Sequence, residues 1–220
     1  MLMSKAPAVP RTKDPAKAVA RMREGEVRTL RDLNAVIASA EPFVMGGTRA
    51  VLGEGPLNPA LAFVGEQPGD QEDLQGRPFV GRAGQLLTRA FAEAGIDRDA
   101  CYLTNAVKHF KFEPRGKRRI HAKPNAGEVT ACNWWLGNEL RFIKPDLAVA
   151  LGATAAQALL GRAVPVTKER GQILSREDGL KVFVTVHPSY LLRLPDEATK
   201  AAERGRFLDD MRKVKGLMGA

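Results

Sequence analysis

Four short apolar runs punctuate the chain: Leu61–Gly65 (LAFVG), Cys101–Val107 (CYLTNAV), Leu147–Gly152 (LAVALG) and Val182–Val186 (VFVTV). They are aliphatic or β-branched and almost free of charge, as strands buried on both faces of a parallel sheet are. Helix-period segments lie between them, over Ala83–Gly95, Gly127–Ile143 and Thr154–Gly161, and a closing helix is read over Asp196–Met218. This alternation predicts a three-layer α/β/α sandwich around a central, mostly parallel, four-stranded sheet. Upstream, Ala16–Ala40 carries Val19, Met22, Val27, Leu30, Leu33 and Val36 on one helical stripe. A turn-rich segment from Gly46-Gly47 to Pro59 follows. Residues Met1–Pro15, rich in Pro, Lys and Ala, read as a flexible basic tail, leaving one domain over residues 16–220.

Charge narrows the class of partner. Lys and Arg number 34 and Asp and Glu 25, a net charge of +9, which attracts polyanions such as nucleic acid or an anionic surface. No apolar run approaches the roughly 20 residues of a membrane span, and the N-terminus lacks the apolar core of a signal peptide. Two cysteines, Cys101 and Cys132, imply no disulfide framework. The expected location is a reducing cytoplasm, with no membrane partner.

In an open α/β sheet the ligand sits beyond the carboxyl ends of the strands, and the unusual residues of this sequence gather there. The first strand runs into Gly65-Glu66-Gln67-Pro68-Gly69-Asp70-Gln71-Glu72-Asp73. A glycine there lets backbone approach a ligand, and Glu66 is placed to orient a water or stabilise a developing cation. The carboxylates are clustered without His or Cys, which argues against a metal site, and an acidic N-cap is the plainer role for them. Phe79, in the Pro/Gly frame GRPFVGRAG, suits either the core or stacking on a flat base. Asn105 ends the second strand with a donor and an acceptor that match a pyrimidine edge or cap a turn. His187, with Pro188-Ser189 after it, leaves the last strand where its ring could hold an oxygen gaining negative charge. Finally, Gly116–Lys123 (GKRRIHAK) reads as a basic loop whose Lys117, Arg118, Arg119 and Lys123 can neutralise phosphates around His121.

Together these motifs resemble the uracil-DNA glycosylase superfamily over roughly residues 51–208. GEQPGDQED looks like its motif A and HPSYLLR like its motif B. The KRRIH loop, Lys117–His121, resembles the UdgX branch, related to the iron–sulfur (family 4) enzymes, in which the loop histidine attaches covalently to DNA. The resemblance implies that uracil-containing DNA, single- or double-stranded, is the partner and that the uracil nucleotide is flipped out. Phe79 would stack on the base and Asn105 would read its edge and reject cytosine. His187, with the backbone of Gly65 and Gln67, would hold O2. Lys117, Arg118, Arg119, Lys123, Ser189 and Arg193 would contact DNA. Glu66 would assist a water, or His121 would attack C1′ and stay attached.

One departure stands out. Relatives hold a [4Fe–4S] cluster on four ligands, and the matching positions here are Ala38, Glu41, His109 and Cys132. Such clusters are normally held by thiolates, so no cofactor is expected. The chain has three histidines, and all three fall at family positions. Hydrolytic release of uracil and a non-catalytic module that recognises uracil or abasic sites are the alternatives to capture. A monomer is the expected state.

Overall fold

A computed structural model describes residues 27–219. The expected tail and the first part of the expected Ala16–Ala40 helix lie outside the described residues. Helix α1 is Leu30–Ser39, started by a capping box in which Thr29 and Asp32 exchange hydrogen bonds to each other's backbone N–H. After the turn-rich segment come β1 (Leu61–Gly65), α2 (Asp70–Gln75), α3 (Arg82–Ala94) and β2 (Tyr102–Asn105). A hairpin of β3 (Phe112–Arg115) and β4 (Arg118–His121) precedes α4 (Ala126–Ile143) and β5 (Leu147–Leu151). Then follow α5 (Ala153–Leu160), α6 (Val166–Glu169), β6 (Ile173–Ser175), β7 (Lys181–Thr185), α7 (Pro188–Leu191) and α8 (Glu197–Gly216).

The main sheet has the order β2-β1-β5-β7-β6. Its first four strands are parallel and are those expected from the apolar runs. The sheet has five strands rather than four, because the short β6 adds antiparallel to β7 at the edge. With Ile173 and Ser175 exposed, β6 lacks the apolar run by which the buried strands announce themselves.

Side-chain alternation sorts the core into two layers. Leu61 and Phe63 of β1 and Val149 and Leu151 of β5 face α3, α7 and α8, packing on Leu87, Phe91, Leu191 and Phe207. Ala62, Val64, Ala148 and Ala150 face α4 and α5, packing on Leu136, Leu140 and Ala155. Small alanines on that face let α4 and α5 lie close to the sheet. A third cluster holds α1 against α4 through Leu33, Ile37, Val44, Val129 and Trp135. Parallel registry aligns the carboxyl ends, pairing Gly65 with Asn105 and Leu151 with Thr185. No helix among the described residues is long and apolar enough to cross a membrane.

Candidate active site

Gly65 meets two expected residues at the end of β1. A Cβ there would collide with Asn105 Oδ1 and would lie 2.8 Å from Phe79 Cζ. Only glycine leaves the Asn105 amide and the Phe79 ring side by side over the strand end. The Asn105 amide has no hydrogen-bond partner among the described residues and is 3% exposed, with Phe79 at 6%. Phe79 holds φ at +55°, a conformation uncommon for an aromatic residue. Two features fix it there. Arg98 Nη2 donates to the Phe79 carbonyl, and a Cβ on the neighbouring Gly84 would strike that same carbonyl group.

Glu66 follows directly and turns into a cleft of about 700 Å³. One carboxylate oxygen accepts from Thr154 Oγ1 at the start of α5. The other lies 3.5 Å from His121 Nε2. Thr154 carried no role in the sequence reading, since a threonine after a strand has no distinctive signal.

His121 stands on β4 rather than in an open loop. Gly116 and Lys117 form a two-residue turn between the register partners Arg115 and Arg118, with Gly116 at φ +59°. A glycine opening a two-residue connection is a hairpin signal that the run of positive charge obscured. Gln67 anchors the hairpin's base. Its amide nitrogen donates to the carbonyls of Lys111 and Ala122, and its oxygen accepts from the Lys111 N–H. The Gln67 side chain is therefore committed to positioning the hairpin, while its backbone, the part expected to hold uracil, is not engaged by these bonds. Arg119 is likewise committed, to Asp70 at 2.6 Å and to Asp73, with its guanidinium over the rings of Phe110 and Phe112. It is an internal clamp rather than a free phosphate ligand. Burial pushes the Asp73 carboxyl up, but hydrogen bonds from Thr48 and Arg119 outweigh this and hold it below its ordinary value. Glu72 ties the amides of Gly69 and Gly81 together. The acidic cluster thus serves as caps and braces.

His187 enters from β7 and caps α7. The Ser189 N–H donates to His187 Nδ1 at 3.1 Å, and Ser189 Oγ lies 2.8 Å from the same nitrogen. Arg193 Nη1 donates to Ser189 Oγ at 3.0 Å. Nδ1 is therefore an acceptor, so the neutral ring carries its proton on Nε2. Burial lowers the His187 pKa to about 4, with the charge of Arg193 and the neighbouring His121 adding to the shift. The ring is a neutral donor at neutral pH.

The cleft is walled by Glu66, Gln67, His121, Lys123, His187, Ser189 and Arg193 among others. Gly65, Phe79 and Asn105 pack together behind Glu66. Lys117 and Arg118 stand apart, on a shallow groove between the hairpin and α2.

A buried ion pair underlies Asn105. Lys108 Nζ is bonded to Glu139, to Thr104 Oγ1 at 2.6 Å and to the Asn105 carbonyl at 2.9 Å, and Tyr102 donates to Glu139 at 3.0 Å. With both partners fully buried, the network holds the strand end and the residue that terminates it.

At the corner matched to the cluster of relatives, the four positions supply one imidazole, one thiol, the Glu41 carboxylate and the methyl of Ala38. Cys132 packs in the third core cluster, and burial pushes its thiol up to about 12. His109 is 2% exposed, leaves Nδ1 without a partner among the described residues, and sits 6.3 Å from Trp135 between ring centroids. Phe43 stacks on Trp135 at 4.4 Å. Ala38 is exposed on α1. One thiol and one imidazole beside stacked rings do not fit a four-thiolate cluster.

Comparison with known proteins agrees with this architecture. The model of the uracil DNA glycosylase superfamily matches residues 52–212. A Type-4 uracil-DNA glycosylase of Thermotoga maritima is 42% identical over 182 residues, covering 82% of this chain and 88% of that protein. A Type-4 uracil-DNA glycosylase of Pyrobaculum aerophilum is 38% identical over 169 residues, covering 74% and 80%. A Type-5 uracil-DNA glycosylase of the same organism is 30% identical over 154 residues, covering 62% and 64%. The chain, with its motif residues gathered at the carboxyl edge of the sheet, belongs to the uracil DNA glycosylase superfamily.

Proposed function

We propose that this protein cleaves the N-glycosidic bond of deoxyuridine in DNA, and that His121 then captures the sugar, as in the UdgX branch. The observation that carries the reading is the convergence of Glu66, His121 and His187 on one cleft, with Glu66 Oε1 and His121 Nε2 3.5 Å apart. The flipped base enters at Gly65, its face on Phe79 and its edge on the Asn105 amide. A cytosine would set its amino group and unprotonated N3 against an amide oriented for uracil, and a mispaired polar edge is rejected strongly.

As the C1′–N1 bond breaks, its electron pair leaves with uracil. The Nε2–H of His187 donates to the oxygen that gains the charge. The carboxylate of Glu66 faces the oxocarbenium-like sugar. The lone pair of a neutral His121 imidazole nitrogen then forms the bond to C1′, giving an alkylimidazolium whose remaining N–H proton can pass to solvent. Hydrolytic release differs only in that water occupies the place of the imidazole. Lys123 and Arg193 meet the DNA backbone. We further propose that the protein carries no iron–sulfur cluster, the core of α1, Phe43 and Trp135 replacing it. Purified protein should be colourless, and about four irons per chain would refute this.

The test of capture is a denaturing gel with labelled single-stranded DNA bearing one uracil, for wild type and His121→Ala. A shifted band stable to heat and detergent, lost in His121→Ala, is the expected result. Alkali-labile abasic product over many turnovers without such a band would assign the chemistry to water. Neither band nor product would leave a binding module.

A further inference from the structure

The residues read as holding uracil, Gly65, Phe79 and Asn105, do not line the cleft that His121 and His187 share. That cleft, of about 700 Å³, is also walled by Tyr190, Arg193, Arg170 and Arg206.

Tyr190 is 40% exposed and lines the cleft beside Ser189 and Arg193. It is rigidly mounted. Its N–H donates to the His187 carbonyl at 2.9 Å, Arg193 N–H donates to its own carbonyl at 3.0 Å, and its neighbour Leu191 is fully buried. The ring is thus held in the wall of the cleft, three residues from His187, and makes no ring stack among the described residues.

Charge points the same way. Arg170 is fixed by Asp210 and by Glu203, each at 2.7 Å, and Glu203 also holds Arg206 at 2.7 Å. Two arginines and two carboxylates therefore balance in this network. The Arg206 guanidinium, 67% exposed, is oriented by Glu203 and open to solvent. The exposed Arg193 guanidinium lines the same cleft, donates to the Ser189 hydroxyl and pairs with no carboxylate among the described residues. Of the cations lining the cleft, Lys123, Arg170, Arg193 and Arg206, Arg170 is taken up by Asp210 and Glu203.

We propose that the wall of the cleft around Tyr190 is a subsite for the nucleotide next to the flipped uridine, with its base stacked on Tyr190 and its phosphate held by Arg193 and Arg206. The proposal rests on the uracil-DNA reading above. It makes the protein a reader of unpaired DNA around the lesion, because a neighbour stacked on Tyr190 has left the duplex stack.

The test uses wild type, Tyr190→Ala and Tyr190→Phe in single-turnover excision. Three single-stranded oligonucleotides each carry one uracil. One is complete, one has a baseless tetrahydrofuran residue on the 5′ side of the uridine, and one has it on the 3′ side. Wild type should slow on one of the two baseless strands. Tyr190→Ala should lose about tenfold on the complete strand, within the range of one base–aromatic stack. It should lose nothing further on the strand where wild type already slowed. Tyr190→Phe should behave as wild type. An equal loss by Tyr190→Ala on all three strands would make the ring merely structural and overturn the proposal, as would no loss at all. If wild type neither excises nor captures on any strand, the uracil reading fails first. Independently, Arg206→Ala should lower the salt dependence of binding to the complete strand by about 0.7 in log–log slope, one phosphate's worth. An unchanged slope would remove the phosphate half of the subsite.

Discussion

At the residue scale the site turns on a proton's position. Ser189 N–H pointing at Nδ1 leaves the His187 proton on Nε2, and burial keeps the ring neutral. A donor that is already neutral gains most as charge develops on its acceptor, and spends nothing on releasing a proton first. Nitrogen-15 spectra of the free protein should therefore show the Nε2–H tautomer at neutral pH, with protonation only near about 4. A midpoint near the ordinary value of about 6.5 would mean that the fold does not desolvate the ring, and a neutral ring protonated on Nδ1 would remove the donor assignment. The place of His187 at the end of an apolar strand was legible beforehand, but its tautomer and burial, set by Ser189 and the surrounding fold, were not. Thr154 and Lys108 were not legible. A threonine that braces Glu66, and a lysine whose charge ends inside the core beside Glu139, look in sequence like any polar residue near a strand end. Only the partner, distant along the chain, gives the role.

At the level of elements, the hairpin β3–β4 is a small lever carrying His121, and its fixed points lie in α2 and the loop before it. Gln67 supplies three hydrogen bonds to Lys111 and Ala122 at its base, and Arg119 ties it to Asp70 and Asp73. An isolated two-stranded hairpin is marginal in water, so these anchors decide where the imidazole stands. Gln67→Ala should leave uracil binding nearly intact while slowing adduct formation by about 10²-fold, the cost of a misplacement of about 1 Å. Rapid-quench kinetics against binding to a non-cleavable uridine analogue would check the split. Equal losses in both would return Gln67 to the role of a uracil contact. The parallel strands were visible as apolar runs because both faces are buried. The hairpin and β6 escaped because a strand exposed on one or both faces has no such run, and in β4 the charged residues masked the turn glycine.

On the scale of the whole molecule, the corner between α1 and α4 has to hold without a thiolate set. What holds it is packing of Leu33, Ile37, Val44 and Val129 around the stacked Phe43 and Trp135, and His109 is enclosed there with one nitrogen unpaired among the described residues. Such an imidazole couples stability to pH. Desolvation lowers its folded pKa to about 4 from an ordinary 6.5, a nearby Asp73 offsetting only a little. Between those values the unfolded chain binds a proton that the native state refuses, so stability is complete above about 6.5 and falls as the pH drops toward 4. The full shift is worth up to about 3 kcal/mol. His187 is lowered for the same reason and shares the acid limb, so replacing His109 should flatten that limb without abolishing it. His109→Leu removes both the titration and the unpaired nitrogen. Its urea midpoint should match or exceed that of wild type near neutral pH, and should fall less on acidification to about pH 4.5. If the variant loses as much as wild type, the acid sensitivity lies elsewhere. If it unfolds at neutral pH, the imidazole holds the corner by a contact that its unpaired nitrogen does not reveal.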